Sequence, residues 1–146
     1  MTTPLTKILH SPQRFVDAVG MYRIVTITLL VLLGASVLGA VFGEIAYSVS
    51  DQLVAVVPTI VIALGLNVLF SKLKNVSANH ESALITALIV FFLAAPQPTL
   101  IDNWAMYAAV AAAIFSKFFI VYRKQHIVNP AAAGLLLVAF GIWKQT

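Results

Sequence analysis

Residues 24–43 contain no Asp, Glu, Lys or Arg. As a helix rising about 1.5 Å per residue, such a run is about 30 Å long, the thickness of a bilayer's hydrocarbon layer. Residues 53–71 form a second uncharged run of nearly the same length. A chain with two such runs must bury them in a large core or expose them to lipid. Composition decides between these: 61% of the 146 residues are hydrophobic and only 10% are charged. A soluble domain has about 45–50% apolar and about 25% charged residues. There are too few charges to cover a water-facing surface, so an ordinary soluble enzyme, a disordered chain and a disulfide-rich module are excluded. With no cysteine, disulfides, thiolate metal sites and cysteine nucleophiles are excluded as well.

Three further apolar segments follow. Residues 81–95 are stopped by Pro96 and Pro98; residues 104–122 are long enough to span but contain Lys117; residues 129–143 are short, with Pro130 where a helix start tolerates proline. The expectation is an all-α integral membrane protein of about five transmembrane segments (24–43, 53–71, 81–95, 104–122, 129–143), three near full length and two short. Short proline-bounded segments suit half-helices that line a site within the membrane; the plainer alternative is two full spans with misjudged ends. Residues 1–23 form a separate N-terminal segment, in which 11–23 have the helical spacing of an interfacial helix. They lack the layout of a signal peptide. Inter-segment loops are short, leaving no room for a soluble nucleotide domain.

The net charge of +4 is distributed unevenly. Lys7, Arg14, Arg23, Lys72, Lys74, Lys117, Arg123 and Lys124 fall on one side of the map, with Lys144 on the other if the last segment crosses. Glu44, Asp51 and Asp102 fall in the loops opposite. The positive-inside rule then puts the N-terminus in the cytoplasm and the protein in the cytoplasmic (inner) membrane. The basic excess reports orientation, not nucleic-acid binding.

Several local features carry alternative readings. Ala35, Gly39 and Gly43 have the four-residue spacing that lets helices approach closely. Asn79 can cap the third segment, leaving Glu81 in its first turn; alternatively His80 and Glu81 face a buried polar site. Lys117 either snorkels to the interface or lines a site. Arg123, Lys124 and His126 mark topology or anionic lipid, or hold a phosphate. Asn129-Pro130, followed by small residues, is a well-formed helix start whose free N–H groups suit an anion or carbonyl. No metal-ligand spacing occurs. Trp104 and Trp143 fit an interfacial belt.

The stretch from Ser82 through Thr86 to Pro96, Lys117 twelve positions before Asn129, and the Asn129-Pro130-Ala131 helix start together resemble the RnfD/NqrB family of membrane subunits of electron-transport complexes (Rnf and the sodium-translocating NADH:quinone reductase). The similarity spans about 81–134. It departs from the family where a glycine-rich turn is replaced by the bulky, basic residues 121–125, and in supplying one of two related halves. It lacks the Ser-Gly-Ala-Thr motif whose threonine carries covalent flavin. The resemblance implies one repeat of a urea-transporter-like fold and a noncovalently bound flavin (FMN or riboflavin). It also implies partnership with other electron-transport subunits or a flavin/NAD(P)H reductase domain, or pairing with a second copy. On this reading His80, Glu81, Lys117, Arg123, Lys124, His126, Asn129 and Pro130 line the cofactor site, and the chain is at most a subunit of an oxidoreductase. The alternatives are a small-solute or ion pathway of the same half-helix architecture, and a membrane anchor.

Overall fold

A computed structural model describes residues 20–119, 121–122, 125–126 and 130–143. Five helices follow in order: α1 (Met21–Val41), α2 (Val49–Leu73), α3 (His80–Leu93), α4 (Trp104–Phe119) and α5 (Pro130–Trp143). Between α4 and α5, β1 (Val121–Tyr122) and β2 (Gln125–His126) form a minimal antiparallel ladder, the one strand pairing among the described residues.

Among the described residues, only α1 and α2 are long and apolar enough to cross a membrane. At 21 and 25 residues they extend about 31 and about 37 Å. Residues 104–122, expected to form a third near-full-length segment, are corrected: α4 ends at Phe119 after 16 residues, and Val121 and Tyr122 pair in the ladder. β-Branched and aromatic residues favour extended backbone, and here they override continuation of the helix. Three helices are therefore short: α3, α4 and α5.

The helix ends have local causes. Ser48 and Asp51 form a reciprocal capping box at the start of α2, with Asp51 N–H donating to Ser48 Oγ at 3.1 Å and Ser48 N–H to Asp51 Oδ2 at 3.0 Å. Asn79 Oδ1 caps α3 by accepting from Ser82 N–H at 3.0 Å. Gly43, expected within the first segment's packing stripe, instead stops α1. Its φ of 75° is left-handed, Gly43 N–H donates to Ala40 O, and Glu44 N–H donates to Gly39 O. That pattern is the Schellman stop, and it needs a left-handed residue. Gly39 likewise faces Ile45 of the following turn, not another helix. Asn75, at φ 51°, ends α2 in the same way.

Hydrogen bonds between helices set the antiparallel register. Ser36 Oγ near the end of α1 donates to Gln52 Oε1 near the start of α2 (2.9 Å). Pro58, inside α2, has no N–H, so the carbonyl of Val54 loses its helical donor. Tyr107 of α4 fills the gap, donating to Val54 O at 3.0 Å. The short helix α3 touches all four other helices, and Ala83, Ala87, Leu88 and Val90 are fully buried at the centre. α4 and α5 pack most closely of all: a Cβ on Gly134 would lie 2.2 Å from Ala109 O. By contrast α1 buries Thr26 alone, and Met21, Val31, Leu38 and Val41 are among its exposed apolar residues.

Candidate functional site

The end of α2, the start of α3 and the end of α4 meet at one end of the bundle, where the described basic residues Arg23, Lys72, Lys74 and Lys117 also lie. Asn67, fully buried in α2, is the joint. Its Oδ1 accepts from Lys117 Nζ at 3.3 Å. Its Nδ2 donates to Asn79 O, the residue capping α3, at 3.4 Å. Its backbone oxygen accepts from the buried Ser71 hydroxyl, which also reaches Val68 O at 3.3 Å. One amide thus ties a lysine of α4 to the N-terminus of the central short helix.

Lys117 is half-buried, and its only hydrogen-bond partner among the described residues is this neutral amide. Among the described residues, no salt bridge to an acidic side chain neutralises it there. Nearby, Phe70 packs against Phe115, Phe118 and Phe119. Lys117 Nζ lies 5.7 Å from the Phe118 ring centroid and Lys74 Nζ 4.5 Å from that of Phe119. Aromatic faces hold cations weakly at these distances and leave the net charge in place. The junction is therefore an electropositive, partly dry corner beside the positive end of the α3 dipole, suited to an anion or a carbonyl-rich ring.

The expected site residues are only partly gathered here. Lys117 is at the corner. His80 and Glu81 stand in the first turn of α3 but are exposed; the expectation that they face a buried polar site is not what the structure places there, because Asn79 occupies the capping position and the turn's buried side belongs to Ala83. Pro130 opens α5 as its first residue. The backbone of His126 pairs with Val121 in the ladder. Arg123, Lys124 and Asn129 lie outside the described residues, as do residues 1–19 with the expected interfacial helix. Asn67 and Ser71 were not anticipated. The signal that marks them is polarity inside an otherwise apolar run, where an amide facing lipid would be expensive. Among the described residues, no group of three His, Asp or Glu could hold a metal ion.

Comparison with family models, curated proteins and solved structures returned no match. The class of protein defined by fold and site is thus a bundle of two long and three short apolar helices with a lysine-bearing polar joint at its basic end.

Proposed function

We propose that this chain is an integral protein of the cytoplasmic membrane, its N-terminus in the cytoplasm, serving as the membrane subunit of an electron-transfer system of the RnfD/NqrB type. The basic end seats a flavin noncovalently. The observation that carries this reading is Lys117: a half-buried cation whose partner is a neutral amide. In a low-dielectric setting such a charge attracts an anion strongly, and the phosphate of FMN is one. Lys117 holds that charge, Asn67 aims the ammonium, and Arg123 and Lys124 add basic groups from the connecting segment. When bound, the flavin supplies the redox chemistry, and the protein supplies position and electrostatics. Electrons enter from a separate reductase domain or neighbouring subunits that dock at this basic face.

The test is the visible spectrum of the protein purified in mild detergent. The expected result is blue-region flavin absorbance that is released as free flavin on denaturation and is diminished in Lys117→Met. A folded, colourless preparation, from cells replete in flavin and unchanged after incubation with FMN, refutes the reading.

A further inference from the structure

A proline at position i leaves the carbonyl at i−4 without its helical donor. At Pro58 the bundle answers with the hydroxyl of Tyr107. At the end of α3 the chain turns to extended backbone at Ala94, so Phe92 O meets no helical donor, and none among the described residues reaches it. Its neighbours are in the same state. Gln97 N–H, which would serve Leu93, donates instead to Asn103 Oδ1 at 3.0 Å, and the turn to extended backbone at Ala94 leaves Phe91 O without Ala95 N–H. Three consecutive carbonyls thus end α3 unpaired at the negative end of its dipole.

They border a cleft of about 320 Å³ between the end of α1, the start of α2 and the end of α3. Ile45, Tyr47, Phe91 and Phe92 wall it, with Ser36 and Gln52 as its polar side. Gln52 is 1% exposed and held by Ser36 from two directions. Ser36 lies five residues before the end of α1, so the cleft reaches about 7 Å below that helix end. The charged side chains described at this end are all acidic: Glu44, Asp51 and Asp102.

We propose that this cleft binds a primary ammonium, its N–H groups on the α3 carbonyls and its alkyl body against the aromatic wall. Unpaired acceptors at a negative helix end select a cationic donor, aromatic faces favour a cation over an anion, and the volume exceeds what a bare ion fills. A soluble amine and an ethanolamine lipid headgroup share this chemistry; an end of the bundle whose described charged side chains are all acidic disfavours a headgroup that also carries a phosphate, so the soluble amine is the ligand. The site is separate from the basic end and does not depend on flavin.

The experiment uses the full chain in phosphatidylcholine nanodiscs, titrated with n-butylammonium while thermal unfolding is followed. A saturable rise in Tm is expected, with none from tetramethylammonium, which has no N–H, or from sodium. Phe92→Ala removes part of the aromatic wall and should weaken binding severalfold. Tyr47→Ala, at a residue with no side-chain hydrogen bond among the described residues, should weaken it to a similar degree and serves where Phe92→Ala does not fold. Absence of a saturable shift, an equal shift with tetramethylammonium or sodium, or unchanged affinity in a folded variant overturns the proposal. If phosphatidylethanolamine discs abolish the butylammonium response, the ammonium site stands with a lipid as its occupant, and the choice of a soluble amine is overturned.

Discussion

Tyr107→Phe removes one hydroxyl and leaves the ring in place. That hydroxyl donates at 3.0 Å to Val54 O, the carbonyl that Pro58 deprives of its helical partner. Interhelical hydrogen bonds in membranes contribute about 0.6 kcal/mol on average and at most about 1.7. Leaving a buried acceptor unmet costs about 1–3 kcal/mol. The substitution should therefore destabilise the bundle by about 1–2 kcal/mol, between those ranges. The same change behaves differently after Pro58→Ala, because residue 58 then supplies the N–H that Val54 O lacks. In that background Tyr107→Phe should cost no more than about 0.5 kcal/mol, giving a coupling energy of about 1 kcal/mol between residues that share one acceptor. Reversible unfolding of the four proteins in mixed micelles, titrated with a denaturing detergent and followed by circular dichroism, measures the cycle. Equal costs in both backgrounds refute the reasoning: Tyr107 would then not be serving the gap opened by the proline.

Three other outcomes are expected. Gly134→Ala places a Cβ 2.2 Å from Ala109 O and 2.9 Å from the Ala113 Cβ. The first of these is backbone and cannot yield, so α5 must move off α4, at about 1–3 kcal/mol as for other overpacked cores; Gly65→Ala, where the space is open, should instead be neutral or stabilising in the same unfolding assay. Asn103→Leu removes the buried side chain that donates to Gln97 O and Thr99 O at 2.8 Å each and accepts from Gln97 N–H; loss of about 2–4 kcal/mol, with faster proteolysis between α3 and α4, is expected from three broken bonds. Asn79→Ala should cost about 1 kcal/mol in the same unfolding assay through loss of the α3 cap, whereas His80→Ala, at an exposed position, should change stability by less than about 0.5 kcal/mol.

The long helices are legible in the sequence because the uncharged runs mark them: α2 extends a few residues beyond its run at both ends, and α1 starts three residues before its run and stops two residues short of the run's end. The end of α3 is equally legible, since Pro96 and Pro98 forbid continuation. The end of α4 is not. Nothing in its apolar pattern separates Phe119 from Tyr122, and the chain's exchange of helix for a ladder depends on pairing with Gln125–His126, a contact between positions apart in sequence. Gly43 shows the same difficulty from another side. Its spacing from Ala35 and Gly39 matches a packing stripe, and only its left-handed φ reveals a helix stop. Spacing identifies which residues share a face; it does not say whether the helix still exists when the face is reached.

The candidate site divides along a similar line. Lys117 is conspicuous because a charge inside an apolar run demands an explanation, and the structure supplies one in Asn67. Asn67 itself is the only amide in residues 53–71, yet nothing local to α2 names its partners, which come from 12 and 50 positions away. The pattern extends beyond this corner. Gln52 bonds to Ser36 of α1, and Tyr107 to Val54 of α2. The buried amides Gln52 and Asn67 each reach another helix, whereas hydroxyls such as that of Thr59 fold back on their own turn, here onto Ala55 O. On the proposed membrane reading, apolar surface gives the helices little reason to choose one neighbour over another, because lipid tails solvate them equally well. The choice of neighbour and register therefore falls to these few joints. At the end of α3 the same rule leaves three acceptors with no joint to fill them, which makes that end the place where a ligand can complete the hydrogen bonding of the fold.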